Sequence, residues 1–194
     1  LSAGLGSPFE ISGAAHLPAG VGADQARTLL RTEGLSFSVD HRLGELRRLF
    51  RRTGGISVVE GEEAATLWRA VRDAEFLAEP RERAVWRIST APRQGPVVAA
   101  AVARSHDARW FYDWGGGLVW LSLPAAGDAG AGAVRAAVKA SGGHATLVRA
   151  PSEIRAAVDV FQPLDPVTRR ITEGVKASFD PAGILNPGRM HAGL

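Results

Sequence analysis

Four short stretches carry the residues with chemical potential. In "WRIS", Arg87 lies between Trp86 and Ile88 on a segment that alternates like a strand. Successive strand side chains point to opposite faces, so Arg87 and Ser89 share one face and Trp86 and Ile88 the other. Two readings follow: a solvent-facing arginine beside a core-facing tryptophan, or an arginine whose planar fork meets a carboxylate. In "DWGGG", Asp113 and Trp114 precede three glycines. Hairpin chemistry explains one or two of them, and the third is read as room for something to approach closely, with Trp114 against a planar ligand. In "GGHATLVRAP", His144 opens a strand after a helix stop, either as a structural hydrogen bonder or as a site histidine. The fourth stretch, "FDPAGILNPGR", lies near the end of the chain. Pro181 and Pro187 fix φ there, while Gly183 and Gly188 permit turns or close approach. Ile184 and Leu185 between them are expected to be a buried anchor.

Several enzyme signatures are missing. There is no glycine-rich phosphate loop, no H-E-x-x-H, no G-x-S-x-G elbow and no EF-hand loop. The histidines (His16, His41, His106, His144 and His191) stand at separations that fit no local metal motif, so no metal site is expected. The absence of cysteine removes disulfides, cysteine-ligated zinc, iron–sulfur ligation and thiol nucleophiles together. It fits a reducing compartment. No residue is assigned a catalytic role from spacing alone.

The net charge is +3, from 21 Arg and 2 Lys against 20 acidic residues. The one basic cluster, Arg47, Arg48, Arg51 and Arg52, is interleaved with Leu46, Leu49 and Phe50 and reads as a solvated helix face rather than a phosphate-binding stripe. No apolar run is long enough to span a bilayer, and the first residues lack a secretory pattern. The first residue is Leu rather than Met, and the chain is expected to be part of a longer protein.

The elements that must position these residues follow from periodicity. Strands are expected over 8–17, 26–33 and 56–60, with helices from Ser36, read as an N-cap, to about residue 53 and over 62–74. The second half has a cleaner rhythm: strand 85–91, helix 97–105, strand 108–114, a glycine turn, strand 118–123, helix 131–140 and strand 144–150. Strand, helix, strand, strand, helix, strand is the split βαβ, or ferredoxin-like, order. The expected fold is α+β, an antiparallel-rich sheet with helices on one face. Both halves, about 1–78 and 84–150, contribute to it, and the first half reads as a degenerate copy of the same layout. A helix follows from Pro166 to about Ser178, with Asp165 as its N-cap. Residues 1–178 then form one domain and 179–194 a tail.

The segment "VKASFDPAGILNPGR" resembles the C-terminal signature of the vanillyl-alcohol-oxidase-type FAD-linked oxidases. "SPFEISGAAHLP", "LLRTEG" followed by "SV", "VWRIS", "DWGGGLVWL" and "GGHATLVRAP" are similar to the E-subunit family of bacterial glycolate oxidases. The resemblance implies the C-terminal, cap-type half of an FAD-binding subunit, with most FAD contacts made by an N-terminal domain that this chain does not contain. It implies a small 2-hydroxy acid as substrate, with glycolate oxidised to glyoxylate. The partners would be a D-type flavin subunit and an iron–sulfur subunit. A cytoplasmic location follows, peripheral to the inner membrane only through those partners. Asn186, Gly188 and Arg189 would then contact the cofactor and its domain, and Arg87, Trp114 and His144 would face the flavin pocket. The chain departs from the related D-subunit pattern in lacking its His-x-Gly-Asp-Gly-Asn-x-His metal motif. The resemblance therefore carries no metal site. It leaves open an assembly or electron-relay role in place of catalysis.

Overall fold

One antiparallel sheet of six strands organises the computed structural model, which describes residues 1–193. In chain order the elements are α1 (Ser2–Leu5), β1 (Gly13–Leu17), β2 (Arg27–Arg31), α2 (Ser36–Phe50), α3 (Gly61–Arg72), β3 (Ala84–Ser89), α4 (Gly95–Ala103), β4 (Arg109–Asp113), β5 (Leu118–Leu123), α5 (Ala131–Ser141), β6 (His144–Arg149), α6 (Ser152–Ala157) and α7 (Pro166–Phe179). The strands lie in the order β2-β1-β4-β5-β3-β6, so strands from both halves of the sequence share one sheet.

Alternation builds two cores. On one face Trp86, Ile88, Val119, Leu121, Ala145 and Leu147 meet Val98 and Val102 of α4 and Val134 and Val138 of α5. The Trp86 indole N–H donates to the Ala129 carbonyl at 2.9 Å, so the largest side chain of this core buries no unpaired polar atom. On the other face Ala15, Leu17 and Phe111 meet Val71 of α3 and Leu77, with Trp68 and Phe76 beside them. Phe76 and Phe111 pack edge to face, with centroids 5.6 Å apart. Helices therefore cover both faces, not one as expected. The amphipathic α3 has no other way to bury Val71 than against the half of the sheet that β1, β4 and β5 provide.

Three further expectations give way. The run 56–60 is not a strand and pairs with nothing, and Ile56 and Val59 are exposed. β-Propensity reports fit to a pleated, half-buried surface, and this run joins neither core. The first half is not a copy of the second: it contributes the antiparallel pair β1–β2, followed by two helices with no strand after them. Ser36 does not cap α2. Leu35, in extended conformation, precedes the helix and Ser36 is its first residue. Asp165 does cap α7, its carboxylate accepting from the Val167 and Thr168 N–H groups.

Arginines join the segments between elements. Arg149 donates to the carbonyls of Leu77 (2.9 Å), Ala78 (2.6 Å) and Arg83 (3.1 Å). Arg83 reaches Ser122 Oγ (3.0 Å) and Asp107 Oδ2 (2.8 Å). Arg135 gathers the Asp159 (2.8 Å) and Phe161 (2.9 Å) carbonyls and Gln162 Oε1 (2.7 Å). The buried Arg42 donates to the Glu33 carbonyl (2.7 Å), the Ser38 carbonyl (3.2 Å) and Glu10 Oε2 (3.2 Å).

The opposite faces of β3 make a test of the architecture. Trp86→Ala is expected to cost about 3–5 kcal/mol by emptying a packed site, whereas Arg87→Gln should cost less than about 1 kcal/mol, the scale of an exposed cation–π contact. Urea denaturation of the two variants checks this, and equal losses would contradict the facing of β3.

Candidate functional site

Register fixes the site. On the second face, Arg87 stands opposite Trp120 of β5 on one side and Thr146 of β6 on the other. Phe111 of β4 stands beyond Trp120. Directly opposed side chains start about 5 Å apart at Cβ, so Phe111, Trp120, Arg87 and Thr146 form a continuous row. The adjacent row is Asp113, Leu118, Ser89 and His144. Phe111 and the inner side of Trp120 belong to the core under α3. The β3–β6 half beyond them is open: Arg87, Ser89 and Thr146 are half-buried, and His144 and Val148 exposed.

Trp114 closes one side of this open half. It is 57% exposed, and the Arg87 guanidinium lies over its ring at 5.0 Å. The Trp114 backbone has φ +51, a conformation that a bulky residue keeps only when its surroundings impose it, at about 1–3 kcal/mol. The imposing groups are visible. Asp113 Oδ1 accepts the Trp114 N–H at 2.7 Å, and the Gly117 N–H returns to the Trp114 carbonyl at 3.1 Å. Burial pushes the Asp113 carboxyl above the usual carboxylate range, against the opposing pull of that N–H and of Arg31.

The three glycines after Trp114 leave no room for a ligand. A Cβ on Gly116 would sit 2.6 Å from the Pro92 carbonyl oxygen, and one on Gly115 would sit 2.2 Å from Leu5 Cδ1. Gly95 approaches the same turn, where a Cβ would meet the Gly116 oxygen at 2.1 Å. The approach read from "DWGGG" is therefore made by the chain's own 90–95 loop and by α1. Beside His144, a Cβ on Gly143 would sit 2.1 Å from the Ser89 carbonyl oxygen.

The structure brings Arg87 and Trp114 into contact and sets His144 on the same sheet face. Asn186, Gly188 and Arg189 lie elsewhere, on the exposed tail after α7. Among the described residues no hydrogen bond or ion pair joins the 180–190 segment to the sheet. Asp180 organises that tail, although nothing in the motif singled it out. Only 7% exposed, its carboxylate accepts from Lys176 Nζ (2.8 Å), the Ile184 N–H (3.0 Å) and the Leu185 N–H (2.9 Å). Lys176 Nζ also donates to the Leu185 carbonyl at 2.9 Å. The Lys176 ammonium first, and then these N–H groups, hold the Asp180 carboxyl below the usual range. Ile184 and Leu185 are 75% and 59% exposed. The expected apolar anchor is thus absent, and polar contacts fix the tail instead.

Two surface depressions lie away from both places. One is lined by Phe9, Glu45, Arg48, Leu49, Arg51 and Arg52, another by Arg27, Val59, Glu62, Glu63, Thr66, Leu67 and Ala70. Neither contains a candidate site residue; the first contains Arg48, Arg51 and Arg52 of the basic cluster. Among the described residues no cluster of His, Asp and Glu could hold a metal ion, and no helix is long and apolar enough to cross a membrane.

The fold and the site define an α+β module with a half-covered antiparallel sheet and a polar open face. The sequence is similar to glycolate oxidase subunit GlcE of Escherichia coli (strain K12), at 30% identity over 135 residues. The match covers 69% of this chain and 34% of the relative, so the chain spans about a third of the length of the protein it matches. The relationship is a distant one. No family model matches the sequence and no solved structure matches it.

Two predictions follow from this geometry. Gly116→Ala and Gly143→Ala, at φ +105 and +117 with carbonyl oxygens in the way, should destabilise far more than Gly188→Ala. At Gly188 the space is open and only the left-handed backbone penalty of about 1 kcal/mol applies. Thermal denaturation of the three variants checks the order. The Asp180 network should respond to pH. A carboxyl depressed on folding contributes stability that is fully present above its unfolded pKa and is lost as pH falls through the lower folded value. Protection of the Ile184 and Leu185 amides from hydrogen exchange is expected at neutral pH and should fade only below the ordinary aspartate range. Asp180→Asn should abolish it at neutral pH.

Proposed function

We propose that this chain is the C-terminal, cap-type part of a flavin-linked oxidoreductase subunit of the glycolate oxidase kind. The observation that carries the reading is the similarity to GlcE, 30% identity across 69% of the chain. The strand order β4-β5-β3-β6, joined through α4 and α5, supports a ferredoxin-like cap. In this reading the whole protein oxidises glycolate or a related 2-hydroxy acid to the 2-oxo acid. Electrons pass through FAD to a D-type flavin subunit and an iron–sulfur subunit. FAD, when bound, supplies the two-electron acceptor.

The residues present suit one side of a flavin rather than an enclosing cradle. The glycines at 115–117 close on their own chain, so none is free to cradle a phosphate. The open sheet half with Arg87, Trp114 and His144 suits a pocket wall over the ring system. On the tail, Gly188 has open space around its α-carbon, and Arg189 donates no side-chain hydrogen bond among the described residues. Asn186, Gly188 and Arg189 would hold the cofactor and the domain that carries most of it, the guanidinium meeting a pyrophosphate or carboxylate.

A second reading, an assembly or electron-relay module, draws on α7. Val167, Ile171, Val175 and Phe179 recur every fourth residue, all are exposed, and α7 has no buried residue. Such a stripe suits a partner surface. The two readings agree that α7 and the tail dock on something outside this chain.

The chain alone is expected to be colourless, and a flavin absorbance spectrum in the purified chain would count against this assignment of roles. In the longer protein with its partner subunits, Arg189→Ala should lower flavin content and glycolate-dependent dye reduction together. Wild-type values for both would remove Arg189 from the site. Ile171→Asp should leave the chain's own stability unchanged but release it from the assembly in size-exclusion chromatography. Full retention of the variant would exclude α7 as the docking face. Flavin retention without any glycolate-dependent reduction in the wild type would favour the relay reading.

A further inference from the structure

Among the described residues the buried and half-buried arginines are used in one way, with a single exception. Among the described residues the other buried or half-buried arginines each donate at least one side-chain hydrogen bond: Arg42, Arg83, Arg135 and Arg149 to several acceptors, and the more peripheral Arg27, Arg31, Arg109 and Arg169 to fewer. Arg87 is half-buried on a central strand, yet it donates none and joins no ion pair. Its one described partner is the Trp114 ring, which takes a face of the guanidinium. The donors of a guanidinium lie in its plane, so stacking leaves the whole fork available and fixes its orientation. The fork is open to a ligand, since none of its nitrogens is fully buried, and Trp114, which stacks on it, has a strained backbone conformation.

The groups around the fork are equally uncommitted. Thr146 is directly opposite Arg87 on β6, and Ser89 and His144 form the neighbouring row on the same face. None of the three side chains has a hydrogen-bond partner among the described residues, although other residues of the same strands do. Trp120, across from Arg87 on the other side, adds an indole whose buried Nε1–H has no partner among the described residues. One cationic fork, two hydroxyls and an imidazole thus share this open face, with the indoles of Trp114 and Trp120 on its β4–β5 side.

We propose that Arg87 binds the carboxylate of a small 2-hydroxy or 2-oxo acid on the open β3–β6 face, with Thr146 and His144 meeting its 2-oxygen. A bidentate carboxylate matches the in-plane fork. The hydroxyl of Thr146 donates to an oxo group or accepts from a hydroxyl, and so does the imidazole according to its tautomer. The assignment deepens the reading of the preceding subsection, in which this face meets the redox centre, but binding at Arg87 needs no flavin.

The test uses the 194-residue chain itself and reads Trp114 fluorescence. Titration with glycolate and with glyoxylate should give a saturable change that Trp114→Phe removes. Arg87→Gln should weaken binding at least tenfold, and Arg87→Lys should recover only part of it, because an ammonium lacks the fork. Far-ultraviolet circular dichroism and urea midpoints establish that both variants are folded. Acetate should bind more weakly than glycolate, and Thr146→Val should narrow that difference. No saturable change in the wild type, unchanged affinity in Arg87→Gln, or binding of inorganic phosphate as tight as that of glycolate would each overturn the proposal. Equal affinity for acetate and glycolate would overturn the 2-oxygen assignment. Because no flavin is present, these outcomes stand apart from the flavin-content test of the longer protein.

Discussion

Strand β3 carries the constraint on which the rest depends. It is hydrogen-bonded on both sides, to β5 and to β6, and opposite demands meet on its two faces. Trp86 and Ile88 are fully buried, and the Trp86 indole is tied to the loop that leads into α5. A slip of one residue would carry Arg87 into that core and Trp86 out of it, so the packing of α4 and α5 fixes the register of the whole β5–β3–β6 unit. The position of Arg87 is a consequence. Burying Trp86 on one side of the strand obliges Arg87 to stand on the other, opposite Trp120 and Thr146.

Guanidinium groups do for the loops what main-chain ladders do for the strands. Arg149 gathers carbonyls from residues 77–83, and Arg135 gathers them from residues 159–161. Segments without regular structure have carbonyl oxygens to satisfy, and a planar group with five donors can satisfy several at once. Lysine, a single point of charge, cannot replace it there. The excess of arginine over lysine therefore has a structural use at these positions, whatever its origin in composition.

Local pattern revealed the second half of the fold well. β5 runs from Leu118 to Leu123 as the spacing indicates, and the facing of Trp86, Arg87 and Ile88 follows from alternation alone. Most of the failures are of one kind. Residues 56–60 have strand-like composition but pair with no strand and join neither core, although β2 and β6 are edge strands. Ser36 has the right side chain for a cap but lies one residue too late. The glycines after Trp114 signal close approach without saying by what, and the answer is loop 90–95 and Leu5. The second core also escaped notice, because Val71 and Leu77 meet Leu17 and Phe111 only after the chain has folded back over the sheet. Apart from Ser36, a local offset of one residue, these misses depend on partners distant in sequence. The contact between Arg87 and Trp114 is of that type too: the residues were visible singly and the pairing was not.

The tail inverts the usual division between polar surface and apolar interior. Asp180 is buried and paired, while Phe179, Ile184 and Leu185 point outward, Phe179 with 83% exposure. A frayed terminus would not hold a carboxylate on an ammonium and two N–H groups at once. Helix α7 has 14 residues and no buried side chain, a length at which an isolated helix is marginal in water. Its local supports are the Asp165 cap, the Lys176–Asp180 pair and the donation from Arg169 to the Ala192 carbonyl at 2.9 Å. These contacts stabilise a shape, and the shape presents Val167, Ile171, Val175 and Phe179 of α7, and then Ile184 and Leu185, to solvent. Polar groups here hold apolar ones in an ordered arrangement toward solvent, which suits a surface made to meet another and does not suit a loose end.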